Sequence, residues 1–326
     1  MKKVLGGLVF CLALAGCGSD KSSEPVDKDK TFTIGIVQHN THPALDDAVK
    51  GFKEALEKKD IKVKFVEKNA QGDKGTNDLI AKQFVSDGVD LIYAVATPSA
   101  TAALNATNGK DTPIIFNAVT DAEDAKLVKS NDKPGGNITG VSDAAPLEQQ
   151  LKLIREVLPN AKTIGMMYNI GEPNGKLQVE QVEKLASKYN FTIQVKGISQ
   201  GSEIASAAQQ LAESSDCIYN ITDNMIASNS AAIADKATAQ KIPVFAAEEG
   251  QMVGSGIMAS DSISYKKLGE QAAEMTYNIL VKGEKTESMA VQTAQSTSLI
   301  INKKVMESLG ITIPEDLAKR ATYMEE

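Results

Sequence analysis

The sequence predicts an α/β protein of two Rossmann-like lobes, each built on a parallel, doubly wound sheet with helices on both faces. Short apolar runs alternate with segments of helical spacing from Thr33 onward, and this order of elements is typical of parallel sheets. A glycine-rich segment at 135–143 interrupts the alternation once, after which it resumes. About 300 residues follow the N-terminal leader, which is enough for two domains that each bury a core.

The first half of the chain supplies one predicted lobe. Apolar runs of about five residues predict strands, because they are too short for buried helices, and apolar residues three and four apart predict helices. At one strand–helix turn, Thr97 is the predicted N-cap and Pro98 fits the first helical turn. The predicted elements are strand Thr33–Val37, helix Ala44–Lys58, strand Ile61–Val66, helix Asp78–Ser86, strand Val89–Val95, helix Ala100–Ala106 and strand Thr112–Val119.

The glycine-rich segment is interpreted as the first crossing between lobes, with a tight surface turn as the alternative. The second lobe follows as helix Leu147–Leu158, strand Thr163–Tyr168, helix Leu177–Tyr189, strand Phe191–Val195, helix Glu203–Ala212, strand Cys217–Ile221, helix Ala227–Gln240 and strand Pro243–Ala246. The remaining predicted elements are strand Ile257–Ala259, helix Tyr265–Leu280, strands Met289–Gln292 and Ser298–Ile301, and short helices at Val305–Leu309 and Asp316–Arg320.

Residues 1–16 have the pattern of a lipoprotein signal peptide. Two lysines precede an apolar run from Val4 to Ala15 that is too short to span a membrane. The run ends in Leu-Ala-Gly-Cys, which predicts cleavage before Cys17 and lipidation (palmitate) of its thiol; a plain secretory signal is the alternative. Residues 17–30 predict a flexible tether. The folded part is therefore expected at the cell membrane, lipid-anchored, on the extracytoplasmic face, whether periplasm or outer surface.

Composition excludes several classes of partner. The formal net charge of −7 becomes −9 when the two leader lysines are removed, so nucleic acid and anionic headgroups are not expected ligands. Of the three cysteines, Cys11 leaves with the leader and Cys17 is the predicted anchor. Cys217 is then expected to be buried, with no intramolecular disulfide.

Candidate ligand-binding residues lie at the predicted carboxyl ends of strands, where doubly wound sheets bind their ligands. In the first lobe these ends are small or polar. A strand that runs directly into the helix start at Thr97 presents free backbone N–H groups and the positive end of a helix dipole, which suits a carboxylate. In the second lobe the ends carry Glu172, Asp223 and Glu248. Because a zwitterion needs donors for its carboxylate and acceptors for its ammonium, the pattern favours an amino acid ligand.

Signals for catalysis are weak. His39 and His42 form an H-x-x-H pair without further metal ligands, so no metal is expected. The segment Gly171–Lys176 is one residue short of a P-loop, and Leu177 occupies the position of its Mg²⁺-binding hydroxyl. Outside the two histidines no imidazole could complete a Ser-His-Asp triad. We expect no enzyme activity and no cofactor.

The chain resembles the tryptophan/tyrosine-type substrate-binding proteins of bacterial ABC importers. The resemblance covers nearly all of the mature chain. It rests on the segments Gly35–Pro43, Val95–Ala100, Phe116–Asp121, Asn137–Asp143, Tyr168–Asn174, Thr222–Ser228 and Phe245–Gln251. One departure is Gly175, where family members often have Ser.

The resemblance implies a type I periplasmic-binding-protein fold, whose two lobes are joined by three crossings and close on the ligand. The crossings are expected near Val141–Ala145, Gly250–Gly256 and Ala294–Thr297. The N-terminal lobe would then comprise 31–142 plus 252–294, and the C-terminal lobe 143–251 plus 295–326.

The family also implies roles for the strand-end residues. Thr97, Pro98 and Ser99 would receive the ligand carboxylate, while Asp223, with Asn224 and Glu172, would receive the ammonium. The other implied cleft residues are Gln38, His39, Asn40, Asn117, Asp143, Asn169, Asn174 and Glu248. The implied function is capture of an amino acid, aromatic by preference, by a monomer that delivers it to an ABC permease and its ATPase.

Other functions remain open from the sequence. The same fold could hold a branched-chain amino acid, a purine or a sugar, although the chain has no Trp to stack on a sugar ring. A lipoprotein that senses a ligand for a signalling partner would carry the same sequence features. An extracytoplasmic enzyme is the third alternative.

Overall fold

The computed structural model describes residues 30–324; the predicted leader, Cys17 and the tether up to residue 29 lie outside the described residues. The strands are β1 (Thr31–Gln38), β2 (Lys62–Asn69), β3 (Leu91–Val95), β4 (Ile114–Val119), β5 (Ile138–Ser142), β6 (Thr163–Asn169), β7 (Thr192–Ile198), β8 (Cys217–Asn220), β9 (Val244–Ala246), β10 (Ala259–Ser262), β11 (Gln292–Thr293), β12 (Ser298–Asn302) and β13 (Ala321–Met324). The α-helices are α1 (Pro43–Glu57), α2 (Lys74–Asp87), α3 (Thr97–Ala106), α4 (Leu147–Val157), α5 (Pro173–Ala186), α6 (Ile204–Ser214), α7 (Asn224–Ser228), α8 (Ser230–Ala239), α9 (Tyr265–Lys282), α10 (Lys303–Ser308) and α11 (Glu315–Arg320).

The strands form two mainly parallel sheets, one in each lobe, as the sequence predicted. The first has the order β11-β5-β4-β3-β1-β2 and the second β13-β12-β10-β9-β8-β6-β7. The chain passes between the lobes three times, after β5, after β10 and between β11 and β12. Strand order reverses between β1 and β3 in one sheet and between β6 and β8 in the other, so each sheet has a switch point at its carboxyl edge.

The position of the second crossing differs from the expectation. Strand β10 pairs in parallel with β9, so residues 252–262 belong to the second lobe and the crossing follows Ser262. The family resemblance had implied a crossing near Gly250–Gly256, but this segment forms a short 3-10 helix and turns within the second lobe. The tail also completes the second sheet: β12 runs antiparallel to β10, and the unpredicted β13 pairs in parallel with β12.

Several helix ends also differ from the prediction. Thr97 is the first residue of α3, and the capping position belongs to Ala96, with φ 80° and ψ 156°. The predicted helix Ala227–Gln240 is two helices, α7 and α8, separated at Asn229. Helix α2 begins four residues early, because the Asp73 side chain accepts from the Thr76 N–H and caps it.

The core lies on both faces of each sheet. In the first lobe, α1 and α9 cover one face around Phe52 and Tyr93, whose rings stack with centroids 3.8 Å apart. Helices α2 and α3 cover the other face. In the second lobe α4 and α5 pack on one face, and α6 and α8 on the other. Cys217 is fully buried in this core. Within residues 30–324, no helix has both the length and the apolar character needed to cross a membrane.

Helices α1 and α9 approach closely at two glycines. A Cβ on Gly51 would lie 2.1 Å from the Lys266 carbonyl oxygen, and one on Gly269 would lie 2.2 Å from the Ala48 carbonyl oxygen. Since both obstacles are backbone atoms, neither can move aside as a flexible side chain could. These glycines therefore set the distance between the two helices that close the first lobe.

We predict that Gly269→Ala lowers the free energy of unfolding by about 1–3 kcal/mol, because overpacking outweighs the gain in helix propensity. Urea denaturation of the two proteins measures the difference. Gly75→Ala is the matched control: it also lies in a helix, and its added Cβ would meet only Asp73 Oδ1 at an ordinary 3.4 Å. Equal stability of the Gly269→Ala and Gly75→Ala variants would contradict the prediction.

Candidate functional site

The carboxyl ends of both sheets face a cavity enclosed between the lobes. The first lobe contributes His42, Leu45, Ala118 and Thr120; the second contributes Asn174, Thr222, Asp223, Asn224 and Glu248; Asp143 and Tyr265 lie at the first two crossings. The open volume is about 10 Å³, which is room for about one water molecule. The lobes are therefore closed on each other, and a larger molecule can enter only when they separate.

Polar contacts across the cleft hold the lobes together. His42 Nε2 lies 3.2 Å from Asn224 Oδ1, and Asn40 Nδ2 donates to Ser228 Oγ at 2.9 Å. Gly250 lies against the start of α1, where a Cβ would stand 2.6 Å from the Ala44 nitrogen. The N-terminus of α1 thus docks on α7 and on the turn after β9.

Three buried oxygens at this cavity have no hydrogen-bond partner among the described residues: Asp143 Oδ1, Glu248 Oε2 and Asn174 Oδ1. The other atoms of these groups are occupied. Asp143 Oδ2 accepts from the Tyr265 hydroxyl at 2.7 Å, Glu248 Oε1 accepts from Gln251 Nε2 at 2.9 Å, and Asn174 Nδ2 donates to the Thr222 carbonyl at 3.1 Å. Three free acceptors match the three N–H donors of a primary ammonium group.

The electrostatics of the cavity also favour a cation. Burial raises the pKa of Asp143 to about 6 and that of Glu248 to about 8, because desolvation disfavours their charged forms. No lysine or arginine of the described chain lines the cavity. A bound cation would restore the ionised carboxylates.

Residues 33–325 match the family model for ABC transporter substrate binding proteins. The chain belongs to this family. Its members bind solutes, so this chain is a substrate-binding protein and not an enzyme, as the sequence predicted. Its two lobes with three crossings form the type I periplasmic-binding-protein fold.

Three known proteins are similar to this chain over most of its length. A tyrosine-binding protein from Clostridioides difficile is 43% identical over 318 residues, which cover 94% of this chain and 91% of that protein. An ABC domain from Streptococcus pneumoniae in complex with L-Trp is 37% identical with a TM-score of 0.85, covering 90% of this chain and 99% of that one. A ligand-free, open structure of a substrate-binding protein with adhesive properties from Clostridium difficile is 41% identical with a TM-score of 0.69, at the same coverage. At similar identity the L-Trp complex superposes better than the open structure, in agreement with closed lobes here.

Asp223 differs from the free acceptors in its partners. Its Oδ2 accepts from the Asn169 N–H at 2.8 Å, and its Oδ1 accepts from the N–H groups of Met225 and Ile226, which caps α7. Burial and the nearby Glu172 charge raise its pKa well above the ordinary value. A Cβ on Gly175 would stand 2.5 Å from Asp223 Oδ2, so glycine leaves room for this carboxylate. Asp223 lines the cavity, but both its oxygens are already used by the backbone.

A hydrogen-bonded chain links Glu172, Asn224 and His42 across the cleft. The Asn224 side-chain NH₂ donates to Glu172 Oε2, so its Oδ1 faces His42. His42 Nε2 is therefore the donor in the contact with Asn224. Burial lowers the pKa of His42, which keeps the ring neutral. Asn169 Nδ2 donates to the other Glu172 oxygen at 3.2 Å.

A second chain lies in the first lobe. Ser99 Oγ donates to Asn77 Oδ1 at 2.7 Å, and Asn77 Nδ2 donates to His39 Nδ1 at 2.8 Å. Burial also lowers the pKa of His39. Both histidines are buried rather than at a polar rim, and the described residues contain no cluster that could hold a metal ion.

Of the sequence-predicted site residues, five line the cavity: Asp143, Asn174, Asp223, Asn224 and Glu248. The others are not among its lining residues: Gln38, His39, Asn40, Thr97, Pro98, Ser99, Asn117, Asn169 and Glu172. Gln38 Nε2 donates to Asp46 at 2.7 Å, and Asn117 Nδ2 donates to the Tyr93 hydroxyl at 2.7 Å, so both hold the walls in place.

Sequence reasoning missed part of the cavity wall, namely His42, Leu45, Ala118, Thr120, Thr222 and Tyr265. Ala118, Thr120 and Thr222 lie in strand-end segments that the sequence did indicate, and His42 was considered only as a metal ligand. Leu45 has the spacing of a core residue. Tyr265 opens the helix that follows a crossing, and no residue pattern singled it out.

The raised pKa of Glu248 predicts that the ligand-free closed arrangement becomes less favourable as the pH rises from 6.5 to 8. In open lobes water surrounds the carboxyl, which has its ordinary pKa of 4.5 and is ionised; in the closed cavity it keeps its proton up to about pH 8. Asp223 acts in the same direction, and Asp143 contributes mainly below pH 6. His39 and His42 act in the opposite direction, because burial lowers their pKa from the ordinary value of 6.5, and this effect is confined to the lower end of the pH range.

Small-angle X-ray scattering measures this effect as a radius of gyration that increases between pH 6.5 and pH 8 without ligand. Glu248→Gln, which cannot ionise, should reduce the increase. A radius that stays constant or falls in the original protein would contradict the assignment.

Proposed function

We propose that this protein is the lipid-anchored substrate-binding component of an ABC importer and captures an aromatic amino acid between its lobes. The observation that carries the proposal is the set of three free, buried acceptors on Asp143, Asn174 and Glu248. The tyrosine-binding relative and the relative with bound L-Trp support the choice of an aromatic side chain.

The ammonium group of the ligand pairs with these three acceptors. One acceptor belongs to the first crossing and two to the second lobe, so the same group bridges the parts that move on closure. Closure removes water from the pair, which strengthens the attraction between ammonium and carboxylate. The ligand carboxylate lies toward the start of α3, where the backbone N–H groups of Thr97 and Ser99 are the free donors of a ten-residue helix.

Binding is coupled to proton release. Ammonium favours the ionised form of Glu248, whose pKa in the closed cavity is about 8. Affinity therefore rises with pH up to about 8, and the contacts from Asn40 and His42 to the second lobe hold the closed form together. The closed protein then presents one continuous surface to the permease, which is the state a transporter must distinguish from the empty one.

We predict that Glu248→Gln weakens binding of tyrosine or tryptophan by more than about tenfold, because it removes one partner of a buried charge pair. A thermal-shift screen of the protein without lipid, against amino acids, purines and simple sugars, identifies the ligand first; a ligand at a hundred times its Kd adds about 2.7 kcal/mol of stability. Calorimetric titration of the variant then gives the loss of affinity.

Asp223→Ala is the contrasting variant. Because Asp223 caps α7 through backbone N–H groups, its loss should lower the stability of the ligand-free protein by about 1–2 kcal/mol. Glu248→Gln should not destabilise the ligand-free protein. Unchanged affinity in Glu248→Gln would contradict the ammonium assignment, and a shift only with a sugar or purine would contradict an amino acid ligand.

The membrane anchor is tested through Cys17. We predict that Cys17→Ala moves the protein from the membrane fraction of the producing cells to the soluble extracytoplasmic fraction, because one thiol carries the lipid. Cys11→Ala, within the predicted leader, is the matched control and should leave the protein in the membrane fraction. Because the substitution also removes the predicted cleavage signal, incorporation of labelled palmitate is measured as well, and a Cys17→Ala variant that still incorporates palmitate would contradict lipidation at this residue.

A further inference from the structure

We infer that the cleft recognises the ligand mainly through its amine, and that it also binds aromatic primary amines that lack a carboxylate. This inference rests on the proposed function and deepens it, because it extends the ligand class from amino acids to the corresponding amines. It follows from an imbalance between acceptors and donors in the closed cleft.

The first part of this imbalance is the charge of the side chains around the cavity. The closed cleft buries four carboxyl groups, Asp143, Glu172, Asp223 and Glu248, each no more than 3% exposed. No lysine or arginine lines the cavity in the described chain. A zwitterion adds no net charge to this environment, whereas an amine adds one positive charge. The electrostatic attraction of the cleft is therefore directed at the ammonium, and a ligand carboxylate is repelled by the same groups.

Most side-chain donors around the cavity are already engaged, and the exception in the described chain is the Thr222 hydroxyl, which lines the cavity. His42 Nε2 donates to Asn224, the Tyr265 hydroxyl donates to Asp143, and the Asn224 NH₂ donates to Glu172. These donors serve protein acceptors, while three acceptors at the same cavity remain free. A ligand carboxylate would find only a neutral hydroxyl unused among the described residues at the cavity, whereas an ammonium would find carboxyl oxygens.

The N-terminus of α3 provides few further hydrogen-bond donors for a ligand carboxylate. Pro98 has no N–H, and the Ser99 hydroxyl gives its one hydrogen to Asn77. The backbone N–H groups of Thr97 and Ser99 and the neutral Thr97 hydroxyl are what remains there, and neither residue lines the cavity. Removing the ligand carboxylate therefore sacrifices a weak set of contacts and also removes a repulsion.

The experiment is a calorimetric titration of the protein with two matched sets of three compounds. One set is tyrosine, tyramine and 3-(4-hydroxyphenyl)propanoic acid; the other is tryptophan, tryptamine and indole-3-propanoic acid. In each set the second compound lacks only the carboxylate and the third lacks only the amine. We expect the amine to bind within about tenfold of the amino acid, and the acid to bind more than about a hundredfold more weakly.

Two variants test whether the same contacts are responsible. Glu248→Gln should weaken the amine and the amino acid alike, by more than about tenfold. Glu54→Gln removes a carboxylate of similar kind from the exposed face of α1, where it pairs with Lys266, and should leave all affinities unchanged.

The outcomes separate this inference from the function it rests on. If the amino acids bind but the amine binds no better than the acid, or not at all, amine-led recognition is wrong and the proposed function stands. If neither tyrosine nor tryptophan binds, the proposed function itself fails. If the amine retains its affinity but Glu248→Gln leaves it unchanged, the assignment of recognition to these acceptors is wrong.

Discussion

The closed cleft buries several carboxyl groups, and no basic side chain is among the described residues that line the cavity. The rest of the arrangement depends on this constraint. Desolvation makes each ionised carboxylate unfavourable, as the raised pKa values of Asp143 and Glu248 show. The closed form is therefore compatible with protons or with a cationic ligand at these positions, but not with two bare charges. In the proposed function, ligand binding and lobe closure are therefore a single equilibrium, and the same groups determine both.

The positions of Asp143, Tyr265 and Glu248 explain how the charge at the cavity affects the segments that connect the lobes. Asp143 follows β5 at the first crossing, and Tyr265 follows the second crossing at the start of α9. Their hydrogen bond ties two of the three connections together, while Glu248 approaches from the second lobe. A change of charge at the cavity therefore acts directly on segments that connect the two lobes.

The sequence predicted the sheets and the edge at which the site lies, because strand–helix alternation and polar strand ends are local patterns. It could not, however, distinguish the carboxyl groups at that edge from one another, and it assigned the ammonium to Asp223, whereas we propose Glu248. Asp223, Glu172 and Glu248 look alike in sequence, and only the structure shows that backbone N–H groups occupy both oxygens of Asp223 while Glu248 keeps one free. The second crossing lies after Ser262 and not near Gly250–Gly256, as the resemblance had implied, because strand pairing, a long-range property, decides to which lobe a segment belongs.

Backbone strain near the cleft is consistent with a site that is organised before the ligand arrives. Ala96 and Ala118, at the ends of β3 and β4, have φ values of 80° and 56°, which non-glycine residues seldom adopt. Asn117 holds both: its carbonyl accepts from the Ala96 N–H, and its side chain accepts from the Ala118 N–H. Its NH₂ donates to the buried Tyr93 hydroxyl, which donates to the Ala48 carbonyl in α1. The core thus maintains the strained turns, and the small Ala118 side chain lines the cavity beside Thr120.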